Sequence, residues 1–282
     1  MRASHKFWIP LICGIIVLAY AFIDRESFTD MCYANDDYEE GEILHPLRYV
    51  RRSKHKEMHN FTITVLTMNR ATSLRRLLVS LENTDYLGDA VRLVVKVDHS
   101  KDNARAIDVA KSTPFTHGPK TIEVSDVNLG LRRAWFQAWS PETPDSYGII
   151  LEDDVEVSPL WYKWATLAWA AYGTRPDIGG LSLQRQTYKM LRPSSPSWNA
   201  FPEDRPFLYK LLGTIGFLPN PKVWPAFIQW TKSIDLDRFD PTTYGQLPLL
   251  ETSKWFHSLE PRSWWSVWYI YYCEKNNLYT LY

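Results

Sequence analysis

From residue 61 onward the chain alternates between short β-branched apolar runs and stretches of helical spacing. Residues 61–68 (FTITVLTM) read as a strand that stops at Asn69-Arg70. Leu74, Leu77, Leu78 and Leu81 follow at i, i+3, i+4 and i+7, a helix for which Thr72 or Ser73 is the expected N-cap. Residues 91–97 (VRLVVKV) predict a second strand ending in Asp98, 102–112 a weak helix, and 121–127 (TIEVSDV) a third strand. A short helix is expected over 131–139. Residues 147–157 (YGIILEDDVEV) begin as a buried strand and turn acidic, and Pro159 opens an aromatic helix to Tyr172. Further on, 264–272 reads as a second aromatic helix, and the apolar run reaching Leu281-Tyr282 as a strand. Alternation of this kind predicts an α/β chain with a parallel, doubly wound sheet. Ligands of such sheets sit outside the carboxyl ends of the strands. That places interest on Thr67 to Arg70, Asp98, Asn128 to Gly130, and Glu152 to Asp154.

The N-terminus has a different pattern. Residues 7–23 carry no charge, with Arg2 and Lys6 before them and Asp24, Arg25 and Glu26 after. As a helix this run spans roughly 25 Å, near the lower limit for crossing a bilayer and suited to the thin membranes of the early secretory pathway. Its far side is acidic (Asp30, Asp36, Asp37, Glu39, Glu40, Glu42), so residues 1–6 are expected in the cytosol and the remainder in the lumen. An uncleaved signal anchor is one reading. A signal peptide cleaved at Ala19-Tyr20-Ala21, releasing a secreted domain, is the other, with a buried core helix the remaining possibility. Residues 24–59, acidic over 35–42 and basic over 48–56, lack periodicity and read as a solvated stem. Asn60-Phe61-Thr62 has the form of a glycosylation sequon.

Charge and composition then exclude several classes. Over 282 residues, 32 Lys+Arg balance 32 Asp+Glu, which leaves no basic field for nucleic acid. Three Cys cannot form a disulfide framework, and they lack zinc-site spacing; Cys32 and Cys273 either pair or remain free. Neither G-x-x-x-x-G-K nor G-x-G-x-x-G occurs, and no motif supports a Ser-His-Asp or Cys-His nucleophile. The 13 Trp are the unusual feature. Their stripes at 161–172 and 264–272 serve either as core or in part as a platform for sugar rings.

Glu152-Asp153-Asp154 carries the most chemistry. Carboxylates after a buried strand need solvent or a cation, and clustered oxygens suit Mg²⁺ or Mn²⁺. The plainer reading is an acidic loop that caps the following helix.

These pieces together resemble a known family. Residues 61–160 are similar to the nucleotide-diphospho-sugar glycosyltransferases of the GT-A fold, in particular the Golgi N-acetylglucosaminyltransferase I-like enzymes. The likeness rests on FTITVLTMNR, VVKVDHS, NLGLRRAW and, most specifically, IILEDDVEVSP. It continues loosely through LGTIGFLPNPKVW at 212–224, like that family's acceptor-side segment. The resemblance implies a Rossmann-like, mixed but mainly parallel sheet flanked by helices, divided into a donor-binding part (60–158) and an acceptor-side part (159–282). It implies a metal-assisted transferase of the hexosyl or N-acetylhexosaminyl type, moving a sugar from a nucleotide diphosphate, with a UDP-sugar expected. The acceptor would be a hydroxyl of a glycan or glycoprotein, and the setting the Golgi or ER membrane. By position, Asp154 would bind Mn²⁺ (or Mg²⁺), Asp153 would face the ribose and Glu152 the donor sugar. Asp98 would bind the uracil or ribose, Thr67, Asn69 and Arg70 would lie under the base, and Asn128 and Gly130 would complete the donor side. Arg132 or Arg133 would assist the base or diphosphate.

One departure stands out. The resembled enzymes carry the general base in a W-D-D-W segment, whereas Ser263-Trp264-Trp265-Ser266-Val267-Trp268 has no carboxylate. Glu260 is the nearest candidate base and Glu251 another. The reading as a transferase therefore stands beside two others: an inactive nucleotide-sugar or glycan binder on the same scaffold, and a membrane-anchored interaction protein.

Overall fold

The computed structural model describes residues 44–46, 60–184, 205–241 and 263–282. In chain order its elements are β1 (Leu44–Pro46), β2 (Thr62–Thr67), α1 (Ala71–Glu82), β3 (Arg92–Val97), α2 (Ala104–Ser112), β4 (Lys120–Val124), α3 (Gly130–Phe136), β5 (Gly148–Glu152) and α4 (Trp161–Tyr172). They continue with β6 (Ile178–Ser182), β7 (Phe207–Tyr209), β8 (Phe217–Pro219), α5 (Trp224–Ser233), α6 (Trp265–Lys275) and β9 (Tyr279–Leu281). The strands form one sheet in the order β1-β7-β9-β6-β8-β5-β2-β3-β4.

The half made by β5, β2, β3 and β4 is parallel throughout. The other half is mixed: β8 runs antiparallel to β5 and β6, β9 parallel to β6, and β7 antiparallel to both β9 and β1. The expected mixed α/β sheet flanked by helices is therefore present. Its parallel character belongs to the long pairings of the first half, while the antiparallel pairings are short.

Alternation along the strands separates two cores. Ile63 and Val65 of β2, Ile149 and Leu151 of β5, and Leu93, Val95 and Val97 of β3 pack with Leu74, Leu77, Leu78 and Leu81 of α1 and with α2 and α4. Leu66 and Ile150 face the other way, into a cluster from α3, α5 and α6 that holds Trp135, Trp224, Trp265, Trp268 and Tyr269. The ring planes of Trp135 and Trp265 stack with centroids 3.7 Å apart and 13° between them. In α4, Trp161, Tyr162, Trp169 and Tyr172 are buried. Both aromatic stripes are thus mostly core, as their burial of large apolar area favours.

Several expectations need correction. α1 starts at Ala71, so Thr72 and Ser73 lie inside the first turn; Arg70 is the N-cap position and no side chain caps the helix. A guanidinium has no acceptor with which to cap backbone N–H groups, and the Arg70 side chain pairs with carboxylates at the end of the neighbouring strand β5. The third strand ends at Val124, three residues early, where the chain turns toward α3 with Ser125 Oγ donating to Val127 O at 2.6 Å. Strands β6, β7 and β8 had no sequence signal of their own. β6 contains Gly179-Gly180, and a Cβ on Gly180 would fall 2.5 Å from Phe217 Cζ and 2.7 Å from Leu218 O.

The expected anchor (7–23), most of the stem (24–59) and Cys32 lie outside the described residues. Among the described residues no helix is long and apolar enough to cross a membrane. Cys273 is a buried free thiol, and burial pushes its pKa up to about 12.

Candidate active site

Parallel pairing of β2 with β5 sets Leu66 opposite Glu152 and so brings Thr67 level with Asp153. Asp153 is 0% exposed. Thr67 Oγ1 donates to its Oδ2 at 2.5 Å across 86 residues of sequence. Its Oδ1 lies 2.5 Å from Arg70 Nη2, an ion pair that is not aligned as a hydrogen bond, and no aligned donor reaches this oxygen. Arg70 Nη1 donates to Asp154 Oδ2 at 2.8 Å. One guanidinium therefore spans both aspartates. The Arg70 side chain is 48% exposed and that of Asp154 38%, while Asp153 is sealed beneath them.

Glu152 sits on the opposite flank. Trp135 Nε1, held by its stack on Trp265, donates to Glu152 Oε1 at 3.0 Å. Burial raises the Glu152 pKa, with the Trp135 hydrogen bond opposing and the neighbouring Asp154 adding to the rise. Asp153 is raised likewise, first by burial, against the pull of the Thr67 hydroxyl and the Arg70 charge. For Arg70, desolvation alone would lower the pKa, but the Asp153 and Asp154 charges outweigh it and hold the guanidinium above its ordinary value.

Asp98, at the end of β3, is engaged with the backbone. Its Oδ1 accepts from His99 N and Leu129 N, each at 2.8 Å, and Oδ2 from Gly130 N at 3.1 Å. Asp98 N donates to Thr67 O at 2.8 Å, which links the β2 and β3 ends. The turn needs Gly130, at φ +67, and Asn128 braces it by donating from Nδ2 to His99 O at 2.9 Å. Asp98, Asn128 and Gly130 thus form one pinned corner beside Thr67.

Asn69 and Arg133 are exposed nearby and Asp126 lies in the same turn region. Arg132 points away from the carboxylates, into the aromatic cluster. Its guanidinium lies 5.6 Å from the Trp268 ring centroid and 3.7 Å from Asp237. Between the two arginines, only Arg133 is left on an open face. Glu260 and Glu251 lie outside the described residues.

Two contributors escaped the sequence reading. Trp135 is the hydrogen-bond donor to Glu152, and its position in NLGLRRAW was the available signal. The second is the neighbouring edge formed by the mixed half of the sheet. Because β6 runs parallel to β5, Gln184 and the 212–216 loop arrive at the same end of the sheet, where Gln184 Oε1 accepts from Ile215 N at 3.3 Å.

The oxygens at this end suit a hard divalent cation: Asp154 is accessible, and Asp153 Oδ1 is buried without an aligned donor. Among the described residues no group of three or more His, Cys, Asp or Glu is placed to hold a metal, so most of the coordination shell would come from a ligand or water.

The family model of the SPBC1E8.03c C-terminal domain matches residues 69–232, more than half of the sequence. No curated protein matches it. Among solved structures, Staphylococcus aureus TarS 1–349 is 17% identical with a TM-score of 0.34, over 46% of this chain and 39% of that one. The chain thus spans about two fifths of that structure's length. The mannosyltransferase PcManGT from Pyrobaculum calidifontis, in complex with GDP-Man and Mn²⁺, is 19% identical at a TM-score of 0.35, covering 45% and 36%. Mouse xyloside xylosyltransferase 1 in its apo form is 10% identical at 0.39, covering 78% and 84%. These likenesses are slight in identity and in overlap.

Proposed function

The chain belongs to the SPBC1E8.03c C-terminal domain family, and we propose that it is a GT-A-type glycosyltransferase using a nucleotide diphosphate sugar, with a UDP-sugar the favoured donor. The observation that carries this reading is the carboxylate pair at the end of β5. Asp153 is buried with one oxygen that pairs with the Arg70 charge but accepts no aligned hydrogen bond, and Asp154 stands more exposed beside it, at the carboxyl edge of the parallel half-sheet. The E-D-D context in IILEDDVEVSP supports it independently.

In this reading Asp154, backed by Asp153, holds Mn²⁺ or Mg²⁺. The ion supplies charge neutralisation for a departing diphosphate. Glu152, oriented by Trp135, faces the donor sugar. The corner of Asp98, Asn128 and Gly130, with Thr67 and Asn69, forms the wall on which base and ribose rest, and Arg133 lies on its open side. Residues 60–158 bind the donor and 159–282 the acceptor, a hydroxyl of a glycan or glycoprotein. Glu260 is the proposed base, and residues 7–23 the signal anchor of a single-pass protein of the Golgi or ER membrane; cleavage after Ala21 would give the secreted form.

A second reading has its own observation. Residues 263–268 carry no carboxylate, and Trp265 is committed to its stack on Trp135. A scaffold that binds donor without transferring sugar would have this appearance. The test is calorimetry of UDP and UDP-sugars with Mn²⁺, followed by a transfer assay. Asp154→Ala is expected to abolish Mn²⁺-dependent nucleotide binding, and unchanged affinity would overturn the proposal. Binding without turnover on any glycan acceptor would select the second reading.

A further inference from the structure

We propose that Arg70 is a built-in placeholder for the divalent cation: it holds Asp153 and Asp154 while the site is free of metal, and passes to the donor diphosphate when the ion takes the carboxylates, so that metal and diphosphate bind as a coupled pair. The inference rests on the donor-site reading above and adds the order and coupling of binding.

The geometry is specific. Arg70 reaches Asp153 Oδ1 at 2.5 Å and Asp154 Oδ2 at 2.8 Å, the same oxygens available to an incoming cation. A guanidinium suits this bridge because its planar fork presents donors to two acceptors at once. The contact to Asp153 is out of hydrogen-bond alignment, so the buried oxygen is charge-compensated by Arg70 but accepts no aligned hydrogen bond. Asp153 is fixed from below by Thr67, whereas the Arg70 side chain is half exposed and, apart from the two aspartates, has no other side-chain partner among the described residues. The arginine is therefore the partner able to move.

Electrostatics makes the exchange conditional. A divalent ion arriving alone must displace a positive group and then remain beside it, a like-charge contact that opposes binding. A diphosphate removes that conflict, since its oxygens complete the metal shell and accept the displaced guanidinium. The first turn of α1 adds to this, because it carries no acidic residue and no side-chain cap at the point from which Arg70 swings. Released from the aspartates, Arg70 remains in a region that favours a bound anion.

The coupling is read by calorimetry on the full-length protein, using Mn²⁺ alone and then UDP or GDP, whichever the wild type binds, at saturating Mn²⁺. Arg70→Ala is expected to bind Mn²⁺ alone on the order of tenfold more tightly than wild type, and the nucleotide on the order of tenfold more weakly. Arg70→Lys keeps the charge but cannot span two carboxylates, so its Mn²⁺ affinity should fall between the two. These opposite shifts from a single substitution would not arise from general damage to the site. If Arg70→Ala leaves Mn²⁺ affinity unchanged or weakens it while the wild type binds Mn²⁺ and nucleotide together, the placeholder role is overturned and the donor site stands. Should Arg70→Ala fail to fold, Arg70→Lys decides: Mn²⁺ binding no tighter than wild type overturns the role. If the wild type binds neither Mn²⁺ nor nucleotide, the donor-site reading falls and this inference with it.

Discussion

Thr67→Val removes one hydroxyl and almost no volume, so it isolates the support beneath the carboxylates. Thr67 is 7% exposed and Asp153 is 0% exposed. The 2.5 Å bond between them is the one aligned hydrogen bond of the Asp153 side chain among the described residues. Hydrogen bonds to charged groups contribute about 1.5–3 kcal/mol, and here the alternative is a buried carboxylate with only the Arg70 charge to offset it. A loss of about 2 kcal/mol lowers Tm by about 4–8 °C in a domain of this size. The loss also has a required pH dependence. Burial raises the Asp153 pKa and Thr67 draws it down, so Val at position 67 raises it further. The destabilisation is therefore greatest where Asp153 is ionised and shrinks as acid protonates it. Thermal and urea unfolding at about pH 7 and about pH 4 measure both parts. An unchanged Tm at neutral pH, or an equal loss at both pH values, would refute this account of the site.

Two other substitutions test neighbouring features. Glu152→Gln keeps the acceptor for Trp135 Nε1 and removes a buried charge. Because the folded pKa of Glu152 is raised, its contribution to stability is present below the ordinary glutamate range and lost as pH rises. Relative to wild type, the variant should thus have a higher Tm at neutral pH, with the gain fading in acid; a gain independent of pH would show that the charge is not the cause. Gly180→Ala forces a Cβ to within 2.5 Å of Phe217 Cζ and 2.7 Å of the Leu218 carbonyl. Overpacking of this kind costs about 1–3 kcal/mol, so denaturant midpoints should fall, and an unchanged midpoint would mean that β6 and β8 separate easily.

The parallel half-sheet was legible because its determinants are local. The leucines of α1 repeat along one stripe, and β2, β3 and β5 are apolar runs that end in polar residues. The E-D-D triplet was visible for the same reason. What joins these pieces is not local. Thr67 and Asp153 are 86 residues apart, and Arg70 and Asp154 84. No periodicity foretells that Asp98 would turn its carboxylate onto the 128–130 backbone, or that Arg70 at the start of α1 would pair with the carboxylates at the end of β5. The antiparallel half was hidden by brevity: β7 and β8 have three residues each, and β6 is interrupted by a glycine pair that carries no side-chain pattern. Glycine there was selected by the approach of Phe217, a neighbour that only the folded sheet supplies.

The position of β9 bears on how the molecule comes to be assembled. β2, β3 and β4 can pair successively through single crossovers as the chain emerges, and β5 then adds on the other side of β2. β6, by contrast, has β8 on one side and β9 on the other, and its contact with β9 joins Ile178 to Tyr279. Until residues 279–281 insert, β6 and β7 each keep an open edge, and open edges recruit strands from other molecules. The parallel half uses no residue beyond β5, whereas the mixed half waits on β9, a contact of high sequence separation and of the slow kind. As the chain emerges, all strands of the parallel half are therefore available before β9, and the open edges of β6 and β7 close only when residues 279–281 are in place.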